Sequence, residues 1–96
     1  MTQNNPSTKL QEYKRQKMDF LDNLHPNDFR NGGSFNQAEL IIDTLNKSLH
    51  SAVLKKENPE EFIKKAVTHL FRQDSPMVEK AIKLSQLYLE TKLTNF

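Results

Sequence analysis

The sequence predicts an all-α fold: a single-domain four-helix bundle with mostly antiparallel neighbours. A flexible N-terminal tail and a long loop between helices one and two complete it. Three observations carry this. Apolar residues recur at a spacing near 3.6 over long stretches. Two segments, Asn58-Pro59-Glu60-Glu61 and Ser75-Pro76, have the cap-then-proline form that opens helices. No stretch alternates apolar and polar residues as a half-buried strand requires. With 96 residues the chain has room for one core.

Residues 1–8 are polar and aperiodic and read as the tail, leaving 9–96 as the bundle domain. The first helix is expected over about 9–24. Ser7 or Thr8 would cap it, and Leu10, Tyr13, Phe20, Leu21 and Leu24 would form its stripe. Pro26 disfavours helix at the residue before it and closes the element. Residues 25–35 hold both glycines and several turn formers. They read as a loop anchored by Phe29 and Phe35, with a short helical turn near Pro26.

Helix two is expected over 36–56, capped by Asn36 or Ser34. Ala38, Ile41, Ile42, Leu45, Leu49, Ala52 and Val53 keep the period, and Lys55 and Lys56 suit the negative end of its dipole. Helix three, over 59–73, carries Phe62, Ile63, Ala66, Val67, Leu70 and Phe71. Helix four, over 76–93, has an apolar arc covering more than half its circumference. The short connections after helices two and three favour antiparallel neighbours. The expected core is Leu10, Phe20, Leu21, Leu24, Ile41, Ile42, Leu45, Leu49, Val53, Phe62, Ile63, Val67, Leu70, Val78, Ile82 and Leu89.

Composition excludes several classes. There is no cysteine, hence no disulfide framework and no Cys-ligated zinc. No apolar run approaches the ~18 residues of a membrane span. The N-terminus shows no secretory pattern, so a cytoplasmic location is expected. Eleven of the 14 basic residues are lysine and nine residues are asparagine, a bias that suits an AT-rich bacterial or phage genome.

Chemistry-bearing residues are scattered. No serine sits in a Gly-flanked elbow. His25, His50 and His69 fall on different elements, and no two are three or four apart. Gly32-Gly33 lacks the helix, Lys and Ser or Thr of a phosphate loop. Expected, therefore, are no catalytic residue, no cofactor, no metal and no small-molecule substrate.

Two surfaces remain. The arc of helix four extends through Leu84 and Leu87, with Tyr88 and Phe96 nearby. It is either covered on two sides or open for a partner. Basic residues form two groups: Lys9, Lys14, Arg15 and Lys17 in helix one, and Lys47, Lys55, Lys56, Lys64 and Lys65 around the junction of helices two and three. The net charge of +2 is too small to imply nucleic acid by itself.

Over residues 38–70 the chain has an Ile/Leu-rich helix, a Lys-rich end and the Asn58-Pro59-Glu60 restart. In this, and in size and basic balance, it is similar to the small immunity proteins that act against class IIa bacteriocins. That likeness implies a four-helix bundle and a protein partner, and carries over no functional residue.

The expected function is a small non-enzymatic protein-binding regulator, inhibitor or immunity-type factor. It would act through a helix face, with Leu84, Leu87, Tyr88 and Phe96 as the interface to another protein or to a second copy. The alternative is a dimeric nucleic-acid-binding regulator that uses the two lysine groups.

Overall fold

Helix signals in the sequence translate directly into elements. The computed structural model describes residues 6–93, and the side chains of 8–92. Four α-helices occupy most of them: α1 (Pro6–Asn23), α2 (Ala38–Leu54), α3 (Pro59–Leu70) and α4 (Met77–Leu93). Two 3₁₀ turns, Pro26–Asp28 and Gly32–Gln37, fill the connection between α1 and α2. Among the described residues no helix is long and apolar enough to cross a membrane.

The caps explain most boundaries. Asn58 Oδ1 accepts the Glu61 amide at 3.2 Å, Pro59 opens α3, and Glu60 and Glu61 follow in its first turn. Ser75 Oγ accepts the Met77 amide at 3.0 Å. The expected caps of the first two helices are not used. α1 already includes Pro6, Ser7 and Thr8, which were expected in the tail, so its start shifts outward; residues 1–5 of that tail lie outside the described residues. Neither Asn36 nor Ser34 caps α2. Both sit within the second 3₁₀ turn, itself capped by Asn31 Oδ1 on the Gly33 amide, and Gln37 enters α2 with no side-chain cap.

α2 closes in a Schellman motif. The Glu57 amide reaches Ala52 O at 3.0 Å and the Lys56 amide reaches Val53 O at 2.9 Å. The motif places Lys56 at φ 68°, a left-handed conformation that suits glycine.

α4 lies at the centre, contacting α1, α2 and α3, with its most extensive contact along α1. The core joins Phe20 and Leu24 of α1 to Ile42, Leu45 and Leu49 of α2, Ile63 and Val67 of α3, and Leu89 of α4. Tyr13, Phe29, Phe71, Met77, Ala81 and Leu84 are buried with them. Leu21, Ile41, Val53, Phe62, Leu70, Val78 and Ile82 pack partly buried against this centre. Leu10, expected in the core, is 41% exposed, because it lies near the free end of α1 and off the line of Tyr13, Phe20 and Leu24.

Inside the core runs a polar chain. Asn46 of α2 has no exposed surface. Its amide donates to Tyr13 Oη of α1 at 2.7 Å, and its carbonyl accepts from Ser85 Oγ of α4 at 2.9 Å. Three helices thus share one hydrogen-bonded line, which satisfies groups that would be costly to bury alone. Burial pushes the Tyr13 phenol above its ordinary 10.0, with the Asn46 hydrogen bond opposing.

α3 ends at Leu70, short of the expected residue 73. Phe71 leaves the helix in an extended conformation, and its fully buried ring stacks on Phe29 at 4.8 Å and meets Phe20 edge-on at 6.2 Å. The backbones pair there: the Arg30 amide donates to Leu70 O at 3.0 Å and the Arg72 amide to Asp28 O at 2.8 Å. Asp28 adds its carboxylate, accepting from the His25 amide and from Ser75 Oγ.

Two outcomes follow for stability. Lys56→Gly relieves the left-handed strain and raises stability by about 0.5–1 kcal/mol, read from the urea midpoint. A phenol whose folded pKa is raised contributes stability below its unfolded pKa and loses it as pH climbs through the folded value. Lys17, also raised, acts in the same direction. Stability therefore falls above about pH 10, and Tyr13→Phe makes that fall shallower. At neutral pH the same variant is less stable by about 1–3 kcal/mol, because the Asn46 amide loses its acceptor. Urea titrations at the two pH values check both.

Candidate functional site

A helix whose apolar arc exceeds half its circumference must be covered on several sides or expose part of that arc. In α4 it is covered. Leu84 is 3% exposed and belongs to the core, so it is not available as an interface residue in the folded chain. Leu87 and Tyr88 are partly buried against the same core. The Tyr88 ring stands 5.3 Å from Tyr13 at 61°, with Lys92 Nζ 5.5 Å from its centroid. The reason is the central position of α4, which touches all three other helices. Phe96 lies outside the described residues.

The first lysine group does not form one surface. Lys9 Nζ pairs with Glu90 at 2.9 Å, across to α4. Lys17 Nζ pairs with Asp43 at 3.1 Å and Glu39 at 3.3 Å, across to α2. Burial of Lys17 disfavours its charge, but the hydrogen bonds and negative charge of those acids outweigh it and hold the ammonium above its usual pKa. Lys14 is exposed. Arg15 faces a depression between α1 and α4 shared with Lys80, Lys83 and Asp19. Of the second group, Lys55 and Lys56 sit exposed at the end of α2, and Lys64 and Lys65 on α3. Lys65 shares a shallow depression with Glu57 and Glu61, which offsets its charge there.

An apolar opening lies elsewhere, between α2 and α3. It is an open trough of about 420 Å3. Leu40, Ile41, Thr44, Leu45 and Ser48 form its α2 wall, and Phe62, Ala66, His69 and Leu70 its α3 wall. The residues repeat at three- and four-residue spacing on each helix, so each wall is one continuous stripe. Along α2 the trough extends about 12 Å, a little over two helical turns. Leu40 is 62% exposed at its edge, although a leucine is ordinarily a core residue. Thr44, Ser48 and His69 are the only polar lining residues.

Sequence reasoning missed this site, because periodicity was used to find one core stripe per helix. A signal was present in Leu40-Ile41-Ile42: three consecutive apolar residues span about 200° of a helix, which a single stripe cannot absorb. Ile42 takes the core position, Ile41 the floor of the trough and Leu40 its rim.

Nothing in the trough suggests bond-making chemistry. Its only titratable lining group is His69, and among the described residues no three His, Asp or Glu side chains converge as a metal site would require. Its shape and lining suit non-covalent recognition of an apolar surface. No protein-family model, curated protein or solved structure matches the chain.

The two leucines make opposite predictions. Leu84→Ala destabilises the fold by about 2–4 kcal/mol, as for other buried leucines. Leu40→Glu changes stability by no more than about 0.5 kcal/mol, because its side chain is already in water. Urea denaturation of both variants checks the contrast.

Proposed function

We propose that this chain is a small non-enzymatic protein-binding module, of the regulator or inhibitor type, which docks its partner in the α2–α3 trough. The observation that carries this reading is the exposed apolar stripe led by Leu40, facing the α3 wall across open space. An apolar surface left in water has a free-energy cost, of roughly 25 cal/mol for each Å2, that a partner removes. The walls are two packed helices, so the site is preorganised and little ordering is required on binding. A helix face thus remains the proposed means of recognition, with α2 and α3 replacing α4.

The test is site-specific photo-crosslinking in cells that make the protein, with a benzophenone amino acid at Thr44 or Ser48. Both positions line the trough and both are exposed. The expected result is one discrete heavier adduct from each, lost when Leu40→Glu is added. A probe at Glu79, exposed on α4, gives none. Equal labelling from Glu79, or no adduct from the trough positions, overturns the reading.

A further inference from the structure

Gly32 answers no demand of the fold. It opens the second 3₁₀ turn, and its φ is not positive. A Cβ there would meet nothing nearer than Pro26 O at 3.8 Å, an ordinary contact. The backbone at this point would therefore accept alanine. What the glycine supplies is an unshielded amide next to Asn31, the only one of the nine asparagines that a glycine follows. Asn31 is exposed and stands outside the α-helices, extended at φ −113° and ψ 106°. Its Oδ1 accepts the Gly33 amide at 3.1 Å, which draws electrons from Cγ. The Gly32 amide comes first in its turn, ahead of any carbonyl that the turn could offer it. An electrophilic carbon and a free nitrogen are thus neighbours on an exposed stretch of chain.

We infer that Asn31-Gly32 is a site of spontaneous covalent modification in the folded protein, which proceeds through a cyclic imide. The Gly32 nitrogen gives its proton to water or hydroxide and bonds to Asn31 Cγ. The Cγ–Nδ2 bond breaks, and that nitrogen leaves as ammonia. Water then opens the imide at either carbonyl, giving aspartate or isoaspartate; nothing is oxidised or reduced. Ring closure requires rotation about the Asn31 Cα–C bond. Two hydrogen bonds of the turn oppose it, from the Gly33 amide to Asn31 Oδ1 and from the Ser34 amide to Asn31 O. Other asparagines are better protected. Asn46 is buried within α2. Asn23 lies in α1, its side-chain amide bound to Asp19 O at 2.8 Å. Asn58 precedes Pro59, which has no N–H to lose. The two products differ in effect. Aspartate keeps an oxygen for the Gly33 amide. Isoaspartate lengthens the backbone by one carbon and moves the cap oxygen off Gly33. That cap is the last one made by a side chain before α2, since Gln37 makes none. Either product takes one unit from the net charge of +2.

The experiment ages the full chain in warm, mildly alkaline buffer, with and without denaturing urea. Each asparagine is followed by peptide mapping with mass spectrometry, and isoaspartate is scored separately with an isoaspartyl methyltransferase. In the folded sample the expected result is aspartate and isoaspartate at position 31, formed several-fold faster than at Asn23, Asn36, Asn46 or Asn58. Gly32→Ala keeps the fold, because its Cβ has room, and should slow the reaction several-fold by crowding the nitrogen. Circular dichroism checks that the variant is folded, and the isoaspartate scored in the unsubstituted chain tests the imide without it. A reaction confined to urea means that the folded turn protects Asn31, and overturns the inference. An equal rate in folded Gly32→Ala, or aspartate without isoaspartate, means direct hydrolysis in place of the imide and overturns it as well. So does an Asn31 that stays intact while other asparagines react.

Discussion

Everything on the surface of this protein depends on how α2 is rotated about its own axis, and Asn46 sets that rotation. A buried amide has few acceptable neighbours. Here it finds them in Tyr13 of α1 and Ser85 of α4, on one line across the core. A rotation of one residue position would leave three polar groups in hydrocarbon, each costing about 1–3 kcal/mol. Apolar contacts alone would tolerate such a slip better, since many packings bury similar area. The ion pairs of Lys17 with Glu39 and Asp43 agree with the same rotation, on the adjoining face. With those two faces assigned, Leu40, Ile41, Thr44 and Ser48 are necessarily turned outward beside α3.

The other wall depends on where α3 stops. Phe71 supplies more by leaving the helix than it would by extending it, because its ring then closes the core against Phe20 and Phe29. Two backbone hydrogen bonds and the Asp28 carboxylate tie the α1–α2 connection to the α3–α4 turn at that point. The result is a clip of loop to turn at one end of the bundle. It holds Leu70 and His69 at the end of the trough and keeps α3 to twelve residues.

These two constraints distribute the apolar surface unevenly. α4 is the most apolar-looking helix by its arc, and it is the best covered, because it sits among three neighbours. α2 has more apolar surface than its neighbours cover, and the surplus is the trough wall. A functional reading based on the width of one helix's arc therefore pointed to a helix whose Leu84 is buried among its neighbours. The informative quantity is the apolar arc minus the arc that neighbours cover, which only the packing supplies. Charge shows the same effect. Lys9 and Lys17 belong to one cluster along the sequence, yet each is drawn to a different acid on a different helix.

The sequence by itself determined the helical class, the number of helices and where the last two begin. Those follow from local physics: apolar residues at 3.6 spacing, prolines that fit only a first turn, and Asn58 and Ser75 hydroxyl or amide oxygens that accept amides two or three residues on. Tertiary structure decided what local physics leaves open. It placed Asn46 in the core through partners 33 and 39 residues away. It ended α3 early through Phe29, buried Leu84 and left Leu40 in water. Each depends on which surfaces meet across the bundle. Periodicity reports which residues avoid water, and the number of neighbours around a helix settles how many of them succeed.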